Sequence, residues 1–372
     1  MRDLIVFGED FGGLPSSTQH LISNLNKERK ILWVNSIGLR KPRLTLNDGK
    51  RAVEKLLGKG KQDFASNSAE SNVPSNIKVV NIKTIPAPKT QWERHIAKRL
   101  MTRQLKSLIE KYRFEKPILW SSLPTAADLC GSLDETAVVY YCGDDFNALA
   151  GVDHDTVSEH EINMVHNANI ILAASQNISD KFPRGKTHVL RHGVDFERFT
   201  TPTERADDLP TGKPIAGFYG SLSEWLDYDM INAAAKALPG WNFVFIGKNE
   251  LRYQPLADLP NIHVLGPRPH HELPKYSQHW DVSLLPFKDN EQIRACSPLK
   301  LLEYIATGKP VINTPFPAAK TYESQLNQVM DTEAFISALR QYPRLLKTKP
   351  ETVESESWAS RAMFVDWLLE LL

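Results

Sequence analysis

Residues 296–313 read CSPLKLLEYIATGKPVIN. A charged turn feeds a helix that Gly308 closes, and Val311-Ile312-Asn313 begins a short strand rich in β-branched residues. Lys300 and Glu303 lie three residues apart near the start of that helix, so their side chains share one face and can meet one ligand. A phosphate suits the lysine, and a ribose diol suits the glutamate. The segment follows Asp281-Val-Ser-Leu-Leu-Pro-Phe, a buried strand ending in proline, which puts the helix start at the carboxyl end of a parallel strand. Open α/β sheets bind ligands there. Helix N-termini also attract phosphate through their exposed N–H groups and the macrodipole.

Working outward, the second half repeats short apolar strands and helices. Pro214-Ile-Ala-Gly-Phe-Tyr-Gly-Ser reads as a strand into a glycine turn, residues 229–238 as a helix, and Trp241-Asn-Phe-Val-Phe-Ile-Gly as a strand. Ile262-His-Val-Leu-Gly is another strand, followed by a short helix over 271–278. The first half alternates in the same way, with strands at Leu4-Ile-Val-Phe, Ile31-Leu-Trp-Val, Lys78-Val-Val, Pro117-Ile-Leu-Trp, Ala137-Val-Val-Tyr-Tyr and Ile170-Ile-Leu-Ala. This spacing predicts βαβ units. Residues 40–76, basic and then rich in Ser and Asn, read as a long insertion. Residues 200–213, with Pro202, an acidic pair and Pro210, read as an interdomain linker. The expected architecture is α/β with two Rossmann-like domains facing across a cleft. The first spans residues 1–199, the second 200–355, and a final amphipathic helix packs back on the first.

Composition agrees with a globular chain. Of 372 residues 41% are hydrophobic and 24% charged, enough for two cores. No window approaches the length of a membrane span, so the expected location is cytoplasmic, with attachment to the inner face of the membrane as a variant. Cys130, Cys142 and Cys296 form no C-x-x-C pair, which argues against a disulfide framework or a zinc site. Net charge is +1 but uneven: residues 38–61 carry eight Lys or Arg against two acids, and residues 89–116 nine against three. A basic first half facing an anionic membrane surface or a phosphorylated acceptor is one reading. The amphipathic helix expected over 92–112 carries Arg94, Lys98, Arg99, Arg103 and Lys106 beside an apolar side of Trp92, Ile96, Leu100, Leu105, Leu108, Ile109 and Tyr112.

Gly217-Phe-Tyr-Gly-Ser-Leu, Asn261-Ile-His-Val-Leu-Gly-Pro, His271-Glu-Leu-Pro-Lys-Tyr, Asp281-Val-Ser-Leu-Leu-Pro-Phe and residues 297–311 follow one another in the order seen in GT-B glycosyltransferases. As a set they resemble the family 4-like and exopolysaccharide glycosyltransferases of bacteria. The resemblance covers residues 214–315 closely and the first half in outline. It implies transfer of a sugar from a nucleotide-diphosphate donor, a UDP-sugar, to a glycan or lipid-diphosphate acceptor in surface polysaccharide synthesis. No cofactor and no metal are expected, since no D-x-D motif appears between apolar strand residues.

The resemblance also implies roles. Gly220 and Ser221 would let backbone N–H groups approach the diphosphate, and Arg268 would stand beside the base. Ser297, Pro298 and Leu299 would lead into Lys300 on the leaving diphosphate and Glu303 on the ribose hydroxyls. One departure matters: many retaining members carry a second glutamate eight residues before the ribose-binding one, and Ala295 stands there. Asp289, Asn290 or Glu291 would have to supply those donor-sugar contacts, and retention of configuration is not implied. In the first half, Asp144 and Asp145 resemble an Asp pair presented to the acceptor, and close carboxylates raise one pKa towards that of a general base. Asp10, Gly12 and Gly13, in a glycine-rich loop that is not G-x-G-x-x-G, would reach the acceptor. Arg191-His192-Gly193-Val194-Asp195 resembles the segment entering the hinge, with His192 structural.

Two alternatives remain at this stage. One is a GT-B nucleotide-sugar epimerase. The other is a DNA-modifying glycosyltransferase, although aromatic residues are not interleaved with the basic runs, and nucleic acid is not an expected partner.

Overall fold

A computed structural model describes residues 1–12, 16–36, 73–85, 88, 90–143, 154–296 and 298–372. The chain divides into two compact units: residues Met1–Arg191 with Arg361–Leu372, and His192–Ser360. Most of the insertion expected over 40–76 lies outside the described residues.

Among its described residues the first unit holds seven parallel strands: β1 (Leu4–Phe7), β2 (Ile31–Val34), β3 (Ile77–Val80), β4 (Ile118–Ser121), β5 (Ala137–Cys142), β6 (Ile170–Ala173) and β7 (Thr187–Val189). Their order is β3-β2-β1-β4-β5-β6-β7. β1, β2, β4, β5 and β6 are buried over their whole length, which explains their unbroken apolar runs: helices cover both faces of a parallel sheet, so no alternation develops. Growth of the sheet reverses between β1 and β4.

Along the helix Gln91–Lys111, capped by a reciprocal Thr90–Glu93 pair, the core-facing row is Ala97, Met101 and Leu105. Trp92, Ile96 and Leu100, which periodicity put on the same side as Leu105, are exposed, Trp92 by 80%. The two rows are offset by one residue, about 100° around the helix, and only the first meets the sheet. Exposed apolar residues at i, i+4 and i+8 are the outcome.

The last helix, Trp358–Glu370, buries Ala362, Val365, Leu368 and Leu369 yet exposes Met363, Phe364 and Trp367, with Leu371 exposed just beyond its end. It is apolar nearly all round rather than amphipathic as expected. Arg29, wholly buried, ties it down: Nη2 lies 3.1 Å from Asp366 Oδ1 and 2.9 Å from Glu370 Oε1, and Nη1 donates to the Arg2 carbonyl. Asp366 Oδ2 also accepts from the Asn26 N–H at 2.8 Å.

The second unit starts earlier than the boundary expected at 199. Phe199, Ala206 and Leu209 are buried in its core, and Gln278 bonds to Phe199, Thr201 and Thr203, so the stretch that looked like a linker is packed surface of this unit. Prolines and acids gave it a linker's composition; three apolar anchors override that. Six parallel strands follow among the described residues: β8 (Ile215–Tyr219), β9 (Asn242–Ile246), β10 (Ile262–Val264), β11 (Val282–Leu285), β12 (Val311–Asn313) and β13 (Asn327–Gln328), ordered β10-β9-β8-β11-β12-β13. The reversal falls between β8 and β11. There the sheet admits Trp280 only because residue 217 is glycine: a Cβ on Gly217 would sit 1.8 Å from the indole.

Candidate active site

The carboxyl ends of β8 and β11 diverge at the reversal in the second unit. Ala216 and Gly217 pair with Val282 and Ser283, but Tyr219 has no partner on β11, and its N–H donates instead to the Tyr304 hydroxyl at 2.9 Å. Tyr304 comes from the helix Leu299–Ala306, whose second residue, Lys300, reaches Gly220 at the end of β8. Tyr219, Trp280 and Tyr304 form a buried aromatic cluster with centroids 4.8–5.9 Å apart. One member of the cluster, Tyr219, reaches Glu303 through its hydroxyl.

Gly220, the first residue past β8, has φ +132°, and Gly247, the first past β9, has φ +151°. Side chains are excluded at both: a Cβ on Gly247 would lie 2.0 Å from the Gly220 carbonyl oxygen, and one on Gly220 would lie 2.5 Å from Lys300 Nζ. Gly220 N–H donates to Ile246 O at 2.8 Å and Gly247 N–H to Gly266 O at 3.0 Å, so three successive strand ends are stitched together by glycine backbone. Ser221 Oγ donates to Glu250 Oε1 at 3.0 Å.

Lys300 brings its ammonium against the Gly220 turn, 4.9 Å from the Phe218 ring centroid and 5.8 Å from that of Phe287. Burial lowers its pKa below 10.5, against the opposing pull of Cys296 and Glu303. Among the described residues no carboxylate forms an ion pair with it. A half-buried cation held beside a glycine turn is poised for an anion.

Glu303 is 95% buried, with the polar atoms of two side chains on it. Tyr219 Oη donates to Oε2 at 2.6 Å, and His270 Nε2 lies 2.7 Å from Oε1. Burial, and then the negative charge of Glu303, push the Tyr219 phenol well above its ordinary value, so it remains a donor at all physiological pH. Lys300 and Glu303 thus both reach the carboxyl end of β8, at Gly220 and Tyr219, but the carboxylate already serves two protein donors.

Arg268 is brought to the same edge after β10, yet its guanidinium is engaged elsewhere. Nη2 lies 2.6 Å from Asp208 Oδ2, Nε donates to Tyr276 Oη at 2.9 Å, and Tyr276 donates to Asp208 Oδ1 at 2.8 Å. Burial alone would raise the Asp208 pKa; donation from Arg268 and Tyr276 outweighs it and holds the carboxyl below its usual range. Pro298 caps the start of the Lys300 helix without a side-chain bond, and Leu299 is its first residue. Ser297 lies outside the described residues. Of the substitutes for the glutamate missing at 295, Asp289 is held by Arg294 through two 2.7 Å contacts, and Asn290 caps the helix Glu291–Ala295 through the Ile293 N–H.

In the first unit, the loop after β1 is braced. Asp10 Oδ1 accepts from both Oγ and N–H of Ser36, the Phe11 N–H donates to Asn35, and Gly12, at φ +78°, donates to Gln19. Gly13, Asp144 and Asp145 lie outside the described residues. His192 packs against Trp358 with ring centroids 6.5 Å apart. Among the described residues no cluster of three or more His, Cys, Asp or Glu is arranged to hold a metal ion.

Reading the sequence alone missed His270, Tyr219 and Tyr304. The two tyrosines follow the apolar pattern of core positions, and their hydroxyls carry the information that the pattern ignores. His270 is fixed by a loop whose course no local spacing reveals.

Comparison with known proteins places the chain among known sequences and folds. Residues 213–342 match the family described as Glycosyl transferases group 1. The chain has the GT-B glycosyltransferase fold. It is similar in fold to Anabaena HepE, solved in complex with UDP and glucose, at a TM-score of 0.70 and 12% identity with all of both chains covered. A UDP-GlcNAc 2-epimerase from Neisseria meningitidis also shares the fold, at a TM-score of 0.55 and 13% identity, again over the full length of both. In sequence the chain is 26% identical over 275 residues to the putative teichuronic acid biosynthesis glycosyltransferase TuaH of Bacillus subtilis, covering 68% of this chain and 69% of that one. The glycosyl transferase group 1 match contains Gly220, Arg268, Lys300 and Glu303, and so takes in the whole corner described above.

Proposed function

We propose that this GT-B protein transfers a hexosyl group from a UDP-sugar to a glycan or lipid-diphosphate acceptor in the synthesis of a bacterial surface polysaccharide, without a metal ion. The placement of the Lys300 ammonium against the Gly220 turn carries this reading. The diphosphate of the donor lies on that turn, where glycine backbone allows close approach and the lysine neutralises the charge that grows on the leaving group. A fixed cation at such a point is worth several kcal/mol, about 3 by analogy with single oxyanion donors. Glu303 receives the ribose hydroxyls. Asp144 or Asp145 is the acceptor-side base, with Asp10, Gly12 and Gly13 lining the acceptor.

The exposed row Trp92, Ile96 and Leu100, with Lys98, Arg99 and Arg103 on the same helix, supports peripheral attachment to an anionic membrane. No helix among the described residues is long and apolar enough to cross one.

The fold shared with an epimerase keeps one second reading in view, and incubation with UDP-sugars separates the two. Release of UDP that depends on an added lipid-linked or glycan acceptor supports transfer. An isomerised sugar nucleotide formed without acceptor overturns it in favour of epimerisation.

A further inference from the structure

The His270–Glu303 contact has a structural cause that extends beyond the pair. After β10 the chain passes Gly266, at φ +71°, and then Pro267-Arg268-Pro269 into the short turn His270–Glu272. Two prolines restrict the backbone of this loop, and the Arg268–Asp208–Tyr276 triangle pins its middle. The imidazole of His270 is seated edge-on against Phe199, at 5.6 Å between centroids and 64° between planes. Held from both sides, its Nε2 reaches Glu303 Oε1 at 2.7 Å while Tyr219 Oη holds Oε2 at 2.6 Å.

A carboxylate gripped on one oxygen still turns about its last torsion, which is a broad, soft one. Donors on both oxygens remove that freedom. From this we infer that His270 is a positioning residue for ribose recognition: it fixes the plane of the Glu303 carboxylate so that a vicinal diol, rather than a single hydroxyl, is the preferred ligand. Arg268 acts one step further back by pinning the loop that carries His270. The inference rests on the reading of Glu303 as the ribose acceptor. A carboxylate offers about four lone-pair directions, so accepting from Tyr219 and His270 is compatible with receiving hydroxyls as well.

Selectivity for ribose over deoxyribose separates this role from a merely structural one. Calorimetric titration with UDP and with 2′-deoxy-UDP is carried out on the intact chain and on His270→Ala, His270→Gln and Glu303→Gln, each checked for folding by thermal melting. The intact chain binds UDP about tenfold or more tightly than 2′-deoxy-UDP, the difference expected of one hydrogen bond to a charged acceptor. His270→Ala lowers that ratio to about threefold or less, and His270→Gln, which keeps a side-chain N–H donor, restores it. If Glu303→Gln loses the ratio while His270→Ala keeps it, the role given to His270 is wrong and the reading of Glu303 stands. If Glu303→Gln keeps the ratio, or UDP does not bind the intact chain, the reading of Glu303 fails and this inference falls with it. Should His270→Ala not fold, His270→Gln and Arg268→Gln decide. The proposal requires the first to keep the ratio and the second to lower it, and the opposite result in either overturns it.

Discussion

Lys300 Nζ occupies the space that a side chain on Gly220 would need, 2.5 Å from the position of its Cβ. The residue at the end of one strand and the cation at the start of a distant helix are therefore a matched pair. Replacing Gly220 with alanine sets a methyl group against the ammonium and also strains a backbone at φ +132°. Gly220→Ala should cost about 1–3 kcal/mol of stability, in the range for such strained residues, and should weaken nucleoside-diphosphate binding by more than the stability loss explains. Urea denaturation and calorimetry on the same sample separate the two effects.

Lys300 makes binding depend on pH in a direction that follows from its environment. Burial lowers its pKa from 10.5, and a diphosphate beside it would raise it again, so binding takes up a proton as the lysine titrates. The charged form binds. Affinity for UDP should therefore fall as pH rises through the lowered lysine pKa. For folding the sign is opposite: a depressed lysine pKa means the unfolded chain holds the proton more tightly, so this group's penalty on stability is present below the lowered pKa and disappears as pH approaches 10.5. In Lys300→Arg the guanidinium stays charged, and the alkaline loss of affinity should vanish.

Asp366 and Glu370 both meet Arg29, but their exposure differs, and so should the cost of losing them. Glu370 is half exposed, so its removal should cost about 1 kcal/mol or less. Asp366 is better shielded and also accepts from the Asn26 N–H, and its loss leaves a wholly buried guanidinium short of a partner. Asp366→Ala should cost about 3 kcal/mol, at the low end for a broken buried pair because Glu370 remains. Urea midpoints rank the two variants.

Trp92, Ile96 and Leu100 predict an interfacial contact that an introduced negative charge would weaken. Co-sedimentation with vesicles rich in phosphatidylglycerol should fall several-fold in Trp92→Glu and with added salt, and vesicles of phosphatidylcholine alone should retain little protein. Equal binding by the variant would remove the row from the account.

How much of this was legible in the residues depends on the kind of signal. Strands such as Leu4–Phe7 and Val282–Leu285 were readable because a parallel sheet covered on both faces demands continuous apolar runs. Lys300 and Glu303 were readable because a helix places i and i+3 on one side and the strand before them fixes where that side points. The linker over 200–213 misled because composition cannot show that Phe199 and Leu209 find a core distant in sequence. The row Trp92, Ile96, Leu100 misled because a one-residue offset on a helix turns a side chain by about 100°, and the sheet, not the pattern, chooses which row it takes. His270 was invisible for the same reason: its partner Glu303 is far along the chain, and only the Pro267–Pro269 loop brings them together.

The most direct test is calorimetric titration of the intact chain and of Lys300→Ala with UDP. The geometry predicts saturable one-site binding to the intact chain and a loss of at least tenfold in affinity in the variant, with folding unchanged by thermal melting. Equal affinity in the two proteins, or no binding of UDP to either, would contradict the placement of the donor diphosphate on the Gly220 turn.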